Sequence, residues 1–202
     1  MKATFALLFD HTVHNLVRKL AVEVHQTYQV GLGGSQLPPH VSLKQPFSIP
    51  DLPSIEAYFD QLVKSIDPIV VTFPRIGAPG DAPVLWLEVE ESAPLRDLHT
   101  RINQELAQRF PNTQAPFDGP TYQFHLTIAL GPPESFGSSP LCSLYQSIAN
   151  SFASREVALR ATAEYLVLFY YDTDQIDLGT FLTYKILPLG KTNVGLSESH
   201  NG

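Results

Sequence analysis

Apolar and polar positions follow two periods along this chain, and each change of period marks an element. Residues 4–10, TFALLFD, are nearly all apolar and rich in strand formers. Residues 11–29 then place Val13, Leu16, Val17, Leu20, Ala21 and Val24 close to a helical period, which predicts a strand followed by a helix. GLGGSQLPP, residues 31–39, is a loop by its glycines and prolines, and HVSLKQPF alternates as a strand that Pro46 ends. SIEAYFDQLVKSI, residues 54–66, reads as a helix with Asp51 or Ser54 near its N-cap. PIVVTFPRI and VLWLEVE read as strands on either side of the turn APGDAP. The stripe Leu95, Leu98, Ile102, Leu106, Phe110 defines a helix over 92–110 with Ser92 as its cap, and the loop PNTQAPFDGP leads into the strand TYQFHLTIALG. A helix over 140–153, the strand-like run LRATAEYLVLFYY, a turn DTDQIDLG and a last strand FLTYKILPL follow. KTNVGLSESHNG reads as a disordered tail.

The order strand, helix, loop, histidine strand, helix, strand occurs twice. Two pseudo-symmetric α+β lobes within one domain over residues 1–190, with 191–202 as a tail, would produce it. Composition narrows the class. Of 202 residues, 44% are hydrophobic and 16% charged, as in a soluble globular protein, and no run approaches the roughly 20 apolar residues of a membrane span. Asp10 cuts the N-terminal apolar run short and no small-residue cleavage site follows, so that run reads as a strand and not a signal peptide. The single cysteine, Cys142, excludes an internal disulfide and suits a reducing compartment, so a cytoplasmic monomer is expected. A net charge of −7 and a pI near 5.4 argue against an extended nucleic-acid surface, because neutralising phosphates takes clustered Lys and Arg. A polyanionic partner should be short.

The candidate chemistry lies in the two histidine strands. Alternation puts His40, Ser42 and Lys44 on one face of the first, and His125 and Thr127 on one face of the second. Two imidazoles and two hydroxyls in one groove suit displacement at phosphorus: one neutral ring takes a proton, a protonated ring gives one, and the hydroxyls hold the non-bridging oxygens. No metal is required for this. A serine nucleophile fits less well, since a Ser two residues from its His on a strand is too far for a direct hydrogen bond. Lys44 is a candidate for added positive charge at the phosphate, and Tyr122, with Phe124, Tyr170 and Tyr171, for stacking on a base, although core packing suits most of these aromatics. His11 and His14 lack partners at metal-ligand spacing and read as polar helix surface, as do His25 and His99. GLGGS lacks the context of a phosphate loop and reads as a connector bordering the cleft, while Cys142 and Trp86 read as packing.

HVSL at 40–43 and HLTI at 125–128 resemble the twin His-x-Ser/Thr-x motifs of the two-histidine (2H) phosphoesterases, the group of 2′-5′ RNA ligase-like proteins and cyclic nucleotide phosphodiesterases. PPHVSLKQPF, VLWLEVE before its amphipathic helix and the closing FLTYKILPLG are similar to that family's layout over about residues 4–190. The resemblance implies a bilobal α+β fold of two antiparallel sheets with flanking helices and an active-site cleft between the lobes. It implies metal-independent and cofactor-free chemistry at 2′,3′-cyclic or 2′-5′ phosphodiesters of nucleotides or RNA ends, with His40 and His125 catalytic and Ser42 and Thr127 holding the phosphate. It further implies that His125 activates water and His40 protonates the leaving ribose oxygen, roles that exchange in the ligation direction. A nucleotide-binding module without catalysis and a 2′-5′ RNA ligase are the alternatives.

Overall fold

The structure, a computed structural model, describes residues 1–32, 36–132, 136–153, 158–172 and 181–190. The predicted tail, the turn DTDQIDLG beyond Asp172, and Gly33 to Ser35 of the glycine-rich loop lie outside the described residues. The chain runs β1 (Lys2–Leu8), α1 (His11–Tyr28), β2 (His40–Ser42), β3 (Phe47–Ser48), α2 (Leu52–Val63), β4 (Ile69–Phe73), β5 (Ile76–Gly77) and β6 (Val84–Glu88). It continues through α3 (Ala93–Arg109), β7 (His125–Leu130), α4 (Ser139–Ser151), β8 (Leu159–Ala163), β9 (Tyr165–Tyr171) and β10 (Leu182–Pro188).

The fold is α+β with antiparallel sheets. One sheet follows the order β10-β9-β1-β2-β7-β6-β5, with β3 also on β1, and a two-stranded sheet joins β4 to β8. The first lobe's strands and the second's are thus continuous through the pair β2 and β7. The repeat read from the sequence maps β1, α1, β2, α2, β4, β5 onto β6, α3, β7, α4, β8, β9. Each repeat's last strand crosses to the other's first: β5 pairs with β6, and β9 pairs with β1.

β1 lies inside this sheet, which is why its sequence is apolar without alternation. Ala3, Phe5 and Leu7 join the main core with the apolar stripes of the helices, while Ala6 and Leu8 join Val167 and Phe169 on the opposite face. Asp10 caps α1 through Thr12 and Val13, and Asp51 caps α2 through the Ser54 amide at 2.7 Å. Ser92 occupies the N-cap of α3 without a capping hydrogen bond from its side chain.

Three expectations change. The run LRATAEYLVLFYY breaks at Glu164 into β8 and β9, which enter different sheets. The first histidine strand ends at Ser42, not near Pro46. Beyond it alternation fails: Leu43 and Lys44, adjacent in sequence, are both buried.

Candidate active site

β2 and β7 run antiparallel with Val41 opposite Leu126. That register sets His40 opposite Thr127 and Ser42 opposite His125, all four on the face away from the fully buried Val41 and Leu126. Each hydroxyl therefore neighbours the other strand's histidine more closely than its own. The two imidazoles occupy diagonal positions, about 7–8 Å apart in backbone terms, a span that a phosphate bridges.

A matching device holds each ring. His40 Nδ1 donates to the Pro38 carbonyl at 2.8 Å, and His125 Nδ1 donates to the Gln123 carbonyl at 2.9 Å, each two residues back in the chain. A carbonyl only accepts, so Nδ1 carries the proton in both rings and Nε2 of the neutral form is the basic nitrogen. An aromatic ring backs each histidine. The Phe169 ring meets His40 edge-on with centroids 4.8 Å apart, and Trp86 lies tilted on His125 at 4.5 Å.

Burial against these rings depresses both imidazoles. His40 is pushed down to about 4, chiefly by desolvation, against the raising effect of the Pro38 carbonyl and with a further lowering from His125. His125 is lowered by desolvation, with the Gln123 carbonyl opposing. Both rings are therefore neutral at pH 7. His40 titrates lower folded than unfolded, so its contribution to stability is present above about pH 6.5 and is lost as pH falls towards about 4. Melting temperature against pH should accordingly fall more steeply across that window in the wild type than in His40→Gln. Equal slopes would show that His40 does not titrate as its burial requires.

The walls beside the pair differ. Next to His40 on β1 is Leu8, and next to His125 on β6 is Glu88. Glu88 accepts from Arg75 Nε at 2.6 Å and lies over β5, where a Cβ at Gly77 would collide with its carboxylate. A pocket of about 410 Å³ opens on this side, lined by Trp86, Glu88, Arg75, Arg96, Gln123 and Phe124. Neither this pocket nor a larger concavity of about 580 Å³ between Pro68 and Arg101 is lined by His40 or His125.

Two candidate residues sit elsewhere than expected. Lys44 is 1% exposed and its ammonium is held by Asp118 at 2.5 Å and Asn103 at 2.6 Å, because the chain turns inward after Ser42 and carries it into the core. It does not share the open face of His40 and Ser42. Tyr122 is 3% exposed, with its ring stacked on His99 and its hydroxyl donating to the Ser42 carbonyl at 3.1 Å, so it supports β2 from behind while also bordering the pocket beside His125. His99, expected on the helix surface, is buried, whereas His11 and His14 are exposed. Trp86, expected in the core, is only partly buried and lines the pocket. Its position was legible: it alternates with the buried Leu85 and Leu87 and so shares the face of Glu88. The carbonyls of Pro38 and Gln123 carry no sequence signal. Among the described residues no group of three or more His, Cys, Asp or Glu converges, and no helix is long and apolar enough to cross a membrane.

A pair of His-x-hydroxyl strands joined about a local two-fold is the architecture of the 2H phosphoesterases. The chain belongs to the 2′-5′ RNA ligase superfamily, whose family model matches residues 13–175. Among solved structures, LigT of E. coli superposes with a TM-score of 0.53 at 12% identity, covering 94% of this chain and 98% of that one. TT0787 of Thermus thermophilus gives 0.53 at 15% identity with the same coverage. Usb1 of Kluyveromyces marxianus gives 0.51 at 17%, covering 93% and 98%. At these identities the likeness is one of fold. No curated protein matches the sequence significantly.

Proposed function

We propose that this protein is a phosphodiesterase that opens 2′,3′-cyclic phosphates, or cleaves 2′-5′ linkages, of nucleotides or RNA ends by two-histidine acid–base catalysis. The observation that carries the reading is the matched pair of imidazoles, each with its Nδ1 proton given to a carbonyl, on one face of β2 and β7. One Nε2 takes a proton from water as its oxygen attacks phosphorus, and the other imidazole, protonated at Nε2, gives its proton to the departing ribose oxygen. The Ser42 and Thr127 hydroxyls donate to the non-bridging oxygens, where the transition state gathers charge. A nucleotide also suits the fold, since LigT has been crystallised with 3′-AMP.

Because burial keeps both rings neutral, the acid acquires its proton as the anionic phosphate arrives. Burial lowers both rings, so the roles are taken from the family resemblance, with His125 activating water and His40, once protonated, serving the leaving ribose oxygen. Calorimetric titration of a nucleotide monophosphate near pH 7, in buffers of differing ionisation enthalpy, should reveal proton uptake on binding; no uptake would argue against this charging step.

The deciding experiment incubates purified protein with 2′,3′-cyclic nucleotides and 2′-5′ dinucleotides in the presence of EDTA. Turnover to a single phosphomonoester, undiminished by the chelator, is expected. No turnover of any such substrate, or loss on chelation, would overturn the proposal; binding without turnover would identify a nucleotide-binding module instead.

A further inference from the structure

A polar network lies beneath the histidine strands, on the face of Val41 and Leu126, with Arg96 at its edge also lining the pocket beside His125. α3 carries Arg96, His99 and Asn103 at spacings of three and four, so they form one stripe beside the apolar one. This stripe reaches two segments: residues 43–45, which leave β2, and residues 118–122, which enter β7. His99 touches both. Its Nδ1 donates to the Leu43 carbonyl at 2.8 Å and its Nε2 accepts from the Gly119 amide at 3.3 Å, so the ring bridges the segments with each nitrogen used. Lys44 and Asp118 make a second bridge, with Asn103 on the ammonium and the Gln45 amide on the other carboxylate oxygen. Arg96 donates to the carbonyls of Gly119 and Tyr122 at 3.0 and 2.7 Å. Tyr122, stacked on His99 at 4.4 Å, closes the circuit to the Ser42 carbonyl.

The strand pair alone is a short clamp. β2 has three residues, and its ladder to β7 contains the single partnered position Val41 with Leu126. The approach to β7 also has positive φ at Phe117, just before that segment, and at Gly119 within it, a course that tethering keeps fixed. At its end is Gln123, whose carbonyl orients His125.

We propose that Lys44, Asp118, His99 and Tyr122 are positioning residues that fix the ring of His125 relative to His40 and Ser42 by binding the exit of β2 to the entry of β7. This rests on the reading of His40 and His125 as the acid–base pair. The network touches no reacting atom. Its loss should lower kcat and leave KM nearly unchanged, because the groups it aligns act in the transition state.

His99→Phe keeps the ring and its stack on Tyr122 but removes both hydrogen bonds, and Tyr122→Phe removes only the bond to Ser42. Each variant should lower kcat per folded molecule about 10-fold, and the pair together should approach the roughly 10²-fold that a misplacement of about 1 Å costs. His99→Gln, whose amide oxygen reaches for the Gly119 amide, should restore part of the loss. Nitrogen-15 spectra of labelled histidine supply a readout that needs no turnover. The His125 ring should change from one Nδ1-protonated tautomer in the wild type to a mixture in the double variant. An unchanged tautomer in Tyr122→Phe and in the double variant, or a loss of activity that only tracks the folded fraction, would overturn the proposal. A wild type without turnover but with the tautomer change would instead refute the functional reading and leave the positioning role standing.

Discussion

Replacing His125 by alanine is expected to lower kcat for a 2′,3′-cyclic nucleotide by about 10²–10⁴-fold, while binding of the product nucleotide persists. The reason lies in how the ring is held. Nδ1 is committed to the Gln123 carbonyl, so in the proposed mechanism Nε2 is the one atom left to exchange a proton with the substrate. In that mechanism its removal leaves water or the leaving oxygen without a partner, while the phosphate keeps the Ser42 and Thr127 hydroxyls. His40→Ala should behave alike, since the Pro38 carbonyl holds that ring the same way. The double variant should be little worse than either single one, because acid and base act in one step and their losses do not add. Single-turnover rates with binding measured in parallel check this. Weakened affinity with an unchanged rate would place both histidines in recognition and not in chemistry.

The second large effect concerns stability. Lys44→Met strands the Asp118 carboxylate, 9% exposed, without its cation, and removal of one partner of a buried pair costs about 3–5 kcal/mol. In a chain of this size each kcal/mol moves the melting temperature by about 2–4 °C, so a fall of about 6–20 °C is expected. Lys44→Met combined with Asp118→Asn leaves no unpaired charge and should recover at least half of the loss. Denaturant titration of the single and double variants supplies the comparison. A single variant as stable as the wild type would mean that the carboxylate is far less desolvated than its surroundings indicate.

Lys44 also shows where reading from sequence stops. His40, Ser42, His125 and Thr127 could be placed on common faces because alternation is a property of any strand, and the register of β2 with β7 then brought the faces together. Lys44 was assigned to the same face by extending that alternation two residues beyond the strand's actual end. What ends the strand is non-local: the Leu43 amide bonds to Phe5, the Lys44 carbonyl accepts from Thr4, and the ammonium finds a carboxylate 74 positions away. His99 was misjudged for a related reason. Its helix was legible from the leucine stripe, but a second, polar stripe facing the interior has meaning only once residues 118–122 lie against it. The exchange of β5 and β9 between repeats was likewise hidden, since strand composition does not name a strand's partner.

That exchange governs when the protein can fold. β1 emerges in synthesis long before β9, which completes one of its edges more than 150 residues later. Until then the nascent chain exposes an apolar strand with an open edge, the kind of surface that templates aggregation. Neither half of the gene product is expected to survive as a separate fragment. Co-expressed halves, in contrast, should reassemble, because the strands they exchange are the ones each lacks.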